Sequence, residues 1–310
     1  MDNFSKIKEN SYGIKKRLEF VCGAIDNYCQ RKNINSTIFC MDVGSGTGDA
    51  LLIPLCKKYQ NFQFISIEPD DSSTKILNEF QKKLNIENLC VYKSLKDYFA
   101  RYKDKKVDIL IISEVLEHVE NPCIFLKSYI NFLRDGGILI LTIPNGFGPF
   151  EIDQLLFKIG KLLKLNIVIS PILTFARMIR KKIRSNNISS SFVIKGSAAV
   201  SPHIQFFSFR KILFMMRNLG FKLLNYQGRT FICGPIASYI LDKIVFTQKL
   251  NNILGSFLPP FMVSGWMFVF LKESNILEID CESLNQDLYS NIVSKVYRKI
   301  KIFLNKKFLL

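Results

Sequence analysis

"MDVGSGTGDA", residues 41–50, places Gly44, Gly46 and Gly48 at alternating positions directly after an apolar run that ends in an aspartate. A strand that runs into such a loop and on into a helix leaves bare backbone N–H groups at the carboxyl edge of a sheet, where α/β proteins bind ligands. A tight strand-to-helix turn would use the same glycines, so spacing has to discriminate. The dinucleotide fingerprint wants glycine at its sixth position, and Asp49 stands there, which weakens a pyrophosphate reading. Twenty residues past Gly48, "FISIEPD" ends a second apolar run at Glu68. A carboxylate at that place can accept both hydroxyls of a ribose, so loop and acid together point to a bound nucleoside.

Outward from the loop, "STIFCMDVG", "NFQFISIEP", "NLCVYKS", "KVDILIISE" and "GGILILTIPN" alternate with helical segments. Apolar strands spaced by helices predict a parallel sheet covered on both faces. Residues 1–37 read as an N-terminal helical segment and 38–146 as the cofactor-binding core. The pattern changes after Asn145. Residues 147–200 read as a substrate cap, with "FEIDQLLFKIGKLLKL" an amphipathic helix and "ARMIRKKIR" strongly basic. Residues 201–273 return to the core fold, with an apolar helical insertion at 229–262 and "GWMFVFLKE" as the last strand. In the tail, 274–310, Leu288, Ile292, Val296 and Ile300 recur four apart among many cations, the pattern of a basic amphipathic helix.

With 310 residues, 48% hydrophobic and 22% charged, the composition excludes fibrous and disordered classes. The net charge of +17 favours an anionic partner such as RNA, a membrane surface or a phosphorylated substrate, unless it only reflects lysine-rich coding throughout. Eight cysteines lie scattered without a CxxC pair, which reads as buried thiols in a reducing compartment and not as a disulfide framework. "MDNFSKIKEN" is polar and charged, unlike a signal peptide, so a cytoplasmic location is expected, with the tail able to meet the inner membrane face. Residues 250–271 are long enough to span a bilayer, but Gly255, Pro259, Pro260 and Gly265 argue against one spanning helix.

"DVGSGTGD", "SIEPD", "ISEVLEHVENP" and "LRDGGILILTIPN" resemble the successive motifs of class I S-adenosylmethionine-dependent methyltransferases over residues 36–146, and "HIQFFSFRKILFMMRNLGF" through "GWMFVFLKE" resembles the closing part of that fold. The resemblance implies an α/β, Rossmann-like, seven-stranded and mostly parallel sheet, its last strand antiparallel, with helices on both faces and helical insertions. It implies that Asp42, Gly44, Ser45, Gly46 and Gly48 hold the methionine end of S-adenosylmethionine. Glu68 would take the ribose, Pro69 and Asp70 would flank adenine, and Ser113 and Glu114 would border the cofactor pocket. One departure stands out: after the third strand the family offers an acid to the adenine amino group, whereas "VYKSLKDY" offers Lys93 and Ser94. Either Ser94 or a backbone carbonyl substitutes, or adenine is held less tightly.

Methyl transfer to oxygen needs an aligned acceptor and a route for its proton. In "SEVLEH", residues 113–118, Glu114, Glu117 and His118 fall at i, i+3 and i+4, one face of a helical turn. The two histidines are His118 and His203, which makes them the candidate catalytic residues. The E-x-x-E-H pattern with a distant histidine resembles the metal set of small-RNA 2′-O-methyltransferases, and "EVLEHV" resembles ubiquinone-biosynthesis O-methyltransferases. Glu114, Glu117, His118 and His203 would then bind a divalent cation that acidifies an acceptor hydroxyl. Without metal, His203 would serve as base or substrate contact. A Pro-Pro-Tyr type turn, usual for base N-methylation, does not follow the fourth strand. The expected activity is O-methylation of a small-molecule or lipid- or glycan-linked acceptor. RNA 2′-O-methylation, an inactive methyltransferase-like binding subunit and a nicotinamide oxidoreductase are the competing readings; no RNA-binding module is recognisable.

Overall fold

The computed structural model describes residues 9–32, 37–103, 105–162, 203–241, 245–273 and 281. Seven strands form one sheet in the order β3-β2-β1-β4-β5-β7-β6. They are β1 (Phe39–Val43), β2 (Gln63–Ile67), β3 (Leu89–Tyr92), β4 (Val107–Ser113), β5 (Leu133–Pro144), β6 (Phe221–Gly228) and β7 (Gly265–Lys272). The β1, β2, β3, β4 and β5 pairings are parallel, and β7 inserts antiparallel between β5 and β6. The order in which strands are added therefore switches between β1 and β4, and because β1, β2 and β4 run parallel their carboxyl ends lie side by side as a ligand edge.

Period-two alternation assigns each strand's side chains to two cores. Met41, Val43, Leu110 and Ile112 face one layer, and Cys40, Ile109 and Ile111 the other. Both faces are apolar because helices cover both. One layer receives α1 (Ile14–Lys32) and α2 (Leu52–Lys58), through Leu18, Val21, Ile25, Leu52 and Leu55. The other receives α5 (Pro122–Ile130) and α7 (Phe209–Asn218), through Leu126, Ile130, Ile212 and Met216. Helix starts are written locally. Asp70 accepts from Ser73 N at 2.7 Å to cap α3 (Asp71–Lys83), Ser94 and Asp97 form a capping box on α4 (Leu95–Arg101), and Asn121 followed by Pro122 opens α5.

Beyond β5 comes α6 (Pro149–Leu162), and between β6 and β7 the chain forms α8 (Pro235–Leu241) and α9 (Val245–Phe257). The basic run near Arg180 and the tail helix expected around Leu288 lie outside the described residues. The thiol expectation needs a correction: Cys123 at the start of α5 is joined to Cys281 by a disulfide across 158 residues, with Cα atoms 5.6 Å apart. Local spacing rules cannot register a partner that only the fold brings close. Cys22, Cys29, Cys40, Cys56, Cys90 and Cys233 remain thiols. Among the described residues no helix is long and apolar enough to cross a membrane.

Candidate active site

At the end of β1 the chain enters the glycine loop with φ of +71°, +57° and +74° at Gly44, Gly46 and Gly48. A Cβ on Gly44 would lie 2.5 Å from Val115 Cγ2, so the loop sits directly against the residues that follow β4. At Gly46 the space a side chain would fill is open. That bare curve of backbone is the cradle a ligand needs.

Glu68 closes the loop from β2's end. One carboxylate oxygen accepts from Gly46 N at 2.7 Å and the other from Asp70 N at 2.9 Å. The residue is only 4% exposed, yet each oxygen has a second lone pair and could accept a further hydrogen bond, as a ribose hydroxyl would require. Ser45 Oγ meets Ser66 Oγ at 2.6 Å and ties the loop to β2. Pro69 is exposed beside them. Ser94, expected near adenine, spends its hydroxyl on the capping box, donating to Asp97 Oδ2 at 2.7 Å and accepting from Asp97 N at 3.2 Å. Under the loop Asp42 is buried, and loss of hydration pushes its carboxyl up to about 7 against the pull of Arg17.

The expected helical turn at 114–118 is not formed as a unit. Glu114 has φ +58°, a left-handed conformation uncommon for a side-chain-bearing residue, and only Leu116–His118 makes a 3-10 turn. Glu114 is engaged elsewhere than with Glu117 and His118. It accepts from Thr142 Oγ1 at 2.9 Å and from Arg229 Nη1 at 2.5 Å. Ser113 Oγ meets the same Thr142 hydroxyl at 2.9 Å. Burial by itself would raise Glu114, but the Arg229 and Arg17 charges outweigh it and hold the carboxyl at about 2. Arg17 on α1 is buried at its Nε, which has no hydrogen-bond partner among the described residues and feels the charges of Glu114, Asp42 and Glu117. Arg17 Nε is thus an unused cationic donor that could meet a ligand carboxylate, while the neighbouring Asp42 and Glu114 favour a ligand cation such as an ammonium group.

Past Glu114 the chain brings three candidate ligands together. Ligand atoms of Glu117, His118 and His203 lie within 4.8 Å of one another, and the two imidazole centroids are 5.1 Å apart. Glu114 is not in this set. Ile204 N and Gln205 N donate to Glu117 O at 2.9 and 3.0 Å, and Gln205 Nε2 donates to Val119 O and Glu120 O at 3.0 and 2.8 Å. These bonds lash the segment carrying His203 onto the turn after β4. Glu117 is 1% exposed; burial first, then the charge of Glu114, push its carboxyl up to about 8, with His203 opposing. Behind His203, Glu151 of α6 lies 2.7 Å from Nδ1 and is itself buried.

Three residues of this constellation escaped sequence reading: Arg17, Arg229 and Glu151. Their partners lie 97, 115 and 52 positions away for Arg17–Glu114, Arg229–Glu114 and His203–Glu151, subtracting the residue numbers. No motif links such positions.

Removing Arg229 takes the hydrogen-bonded partner from the partly buried Glu114 carboxylate and leaves Arg17 as its nearby counter-charge. Arg229→Leu is expected to destabilise the fold by about 3 kcal/mol, read as a lowered Tm. The pH dependence has a definite sign. Glu114 is held below its ordinary 4.5, so its pairing contributes fully above that value and is lost as pH falls toward 2. In Arg229→Leu that acid-side loss should shrink; an unchanged profile would contradict the pairing.

The pattern defining the methyltransferase domain matches residues 15–226, well over half the chain. The chain belongs to the methyltransferase domain family. This methyltransferase is 24% identical over 133 residues to the (S)-tetrahydroprotoberberine N-methyltransferase of Eschscholzia californica, a stretch covering 41% of this chain and 37% of that one. It is 27% identical over 157 residues to the ubiquinone biosynthesis O-methyltransferase of Rickettsia canadensis, covering 47% and 62%. The methyltransferase thus spans less than two thirds of the length of either relative. Coclaurine N-methyltransferase bound to N-methylheliamine and SAH has a similar structure, with a TM-score of 0.42 and 15% identity over 81% of this chain and 72% of that one.

Proposed function

We propose that the methyltransferase O-methylates an acceptor with an apolar body, using S-adenosylmethionine held between the glycine loop and Glu68. Its relatives include both N- and O-methyltransferases, so the acceptor atom has to be argued from the site. The observation that carries the choice is the buried Glu151–His203 pair beside Glu117 and His118. A neutral amine attacks through its own lone pair, whereas a hydroxyl becomes a good nucleophile only as its proton leaves. In the tautomer where Glu151 accepts from Nδ1–H, Nε2 of His203 is the basic nitrogen. His203 then takes the hydroxyl proton, and Glu151 stabilises the imidazolium formed. When bound, S-adenosylmethionine supplies the electrophilic methyl carbon. The apolar body is argued from α6, which carries Glu151 and leaves Ile152, Leu156 and Phe157 exposed nearby in the same helix.

The assay pairs a hydroxylated lipophilic acceptor with its amine analogue and follows release of S-adenosylhomocysteine. Turnover on the hydroxyl compound supports the reading. Turnover confined to the amine, unchanged in His203→Ala, overturns it.

A second reading has its own observation. Glu117, His118 and His203 offer one carboxylate and two imidazoles, a donor set suited to a first-row divalent cation, and Glu117 Oε2 is buried without a hydrogen-bond partner among the described residues. These residues would hold the ion, which would lower the acceptor hydroxyl's pKa, with Glu151 fixing the His203 ring from behind. The expected outcome is a tenfold or greater loss of activity in chelator, restored by Zn²⁺ or Mn²⁺, with about one metal per chain by elemental analysis. Full activity in chelator, with no metal found, leaves His203 as the base.

A further inference from the structure

The polarity of α9 is inverted. Toward the protein it buries Gln248 and Asn251, and the Asn251 side chain exchanges two 2.8 Å hydrogen bonds with the backbone of Ile232. Lys16 Nζ donates to Asn252 O at 2.7 Å, and Phe231 N to Asn251 O at 3.1 Å. The helix is therefore held down by polar contacts. Its outward face carries Phe246 (72% exposed), Leu250, Ile253 and Phe257 (84%). Steps of four, three and four residues put these in one stripe along the helix. Phe261, 72% exposed in the following 3-10 turn, adds another ring. Isolated exposed apolar residues are common, but a continuous aromatic stripe on a helix whose polar side faces inward marks a surface meant to be covered.

We infer that this face docks the methyltransferase onto an anionic lipid surface. Charge decides against a second copy of the chain. Each copy has a net charge of +17, so two would repel as they approached, whereas an anionic bilayer attracts. The stripe itself has no carboxylate to oppose this: residues 245–262 contain no Asp or Glu, and their one charged residue is Lys249, exposed beside the stripe. Phenylalanines on a short amphipathic helix lying flat can enter the boundary between headgroups and acyl chains, while Lys249 stays among the headgroup phosphates. The inference is independent of the methyl acceptor, because vesicle binding reads no turnover.

The test is flotation of the full chain with vesicles of phosphatidylcholine alone or mixed with phosphatidylglycerol. Wild type should float with the anionic vesicles and release as salt is raised. The triple variant Phe246→Ser, Phe257→Ser, Phe261→Ser should lose roughly tenfold or more in partitioning while keeping wild-type affinity for S-adenosylhomocysteine. If the triple variant loses that affinity through misfolding, the single Phe257→Asp, at the most exposed ring, takes its place with the same expectation. Absence of wild-type flotation with anionic vesicles overturns the inference, as does undiminished flotation of the variant. So does a dimer in light scattering that the variant dissociates, which would make the stripe a self-interface.

Discussion

In Glu68→Ala, calorimetry should show S-adenosylhomocysteine binding roughly 10²–10⁴-fold more weakly than in wild type, with the fold intact by circular dichroism. The estimate follows from the contacts. A hydrogen bond to a charged group contributes about 1.5–3 kcal/mol, and the ribose diol would make two to this carboxylate. The same oxygens hold Gly46 N and Asp70 N, at 2.7 and 2.9 Å, so the truncation also frees the tip of the glycine loop and the entry to α3. Glu68→Gln separates the two effects: its amide oxygen can still accept from one backbone N–H, but its NH₂ group meets the other donor head-on. It should fall between wild type and alanine. A loss under threefold in Glu68→Ala would remove this residue from the cofactor site and with it the nucleoside reading of the loop.

For His203→Ala the expectation is the reverse split: a fall in kcat of roughly 10²–10⁴ with cofactor affinity unchanged. The contacts of the imidazole run to Glu151, His118 and Glu117. None of these is among the groups that close the loop. Glu151→Gln tests the positioning role of the buried carboxylate. It keeps an acceptor for Nδ1–H but loses the charge that stabilises an imidazolium, so kcat should fall less than in His203→Ala while KM stays. Elemental analysis of both variants distinguishes a lost base from a lost metal ligand. Wild-type kcat in His203→Ala would end the catalytic assignment.

Most of the nucleotide edge was legible in the linear chain. Gly44, Gly46 and Gly48 announce left-handed backbone because few other residues adopt it, and Glu68 stands where a strand of ordinary length must end. The strands were readable because alternation acts over a few residues. The turn after β4 was misread. Helical spacing of Glu114, Glu117 and His118 assumes a helix, and Glu114 departs from one while Thr142 of β5 and Arg229, just past β6, claim its carboxylate. Ser94 was likewise claimed by its own helix start.

Short-range order, then, came from residue type and spacing alone: the strand-loop-helix units, the glycine cradle and the apolar alternation that makes a two-faced sheet. Which charges meet was decided only in three dimensions. Arg17, Glu114 and Arg229 converge because the sheet order brings β4 and the end of β6 to one edge, and Glu151 meets His203 because the bonds from Ile204 N and Gln205 N to Glu117 O hold that segment beside the turn after β4, within reach of the start of α6. Burial in a low-dielectric edge gives such pairs their strength, and burial is a property of the packed molecule, written in no neighbouring residue.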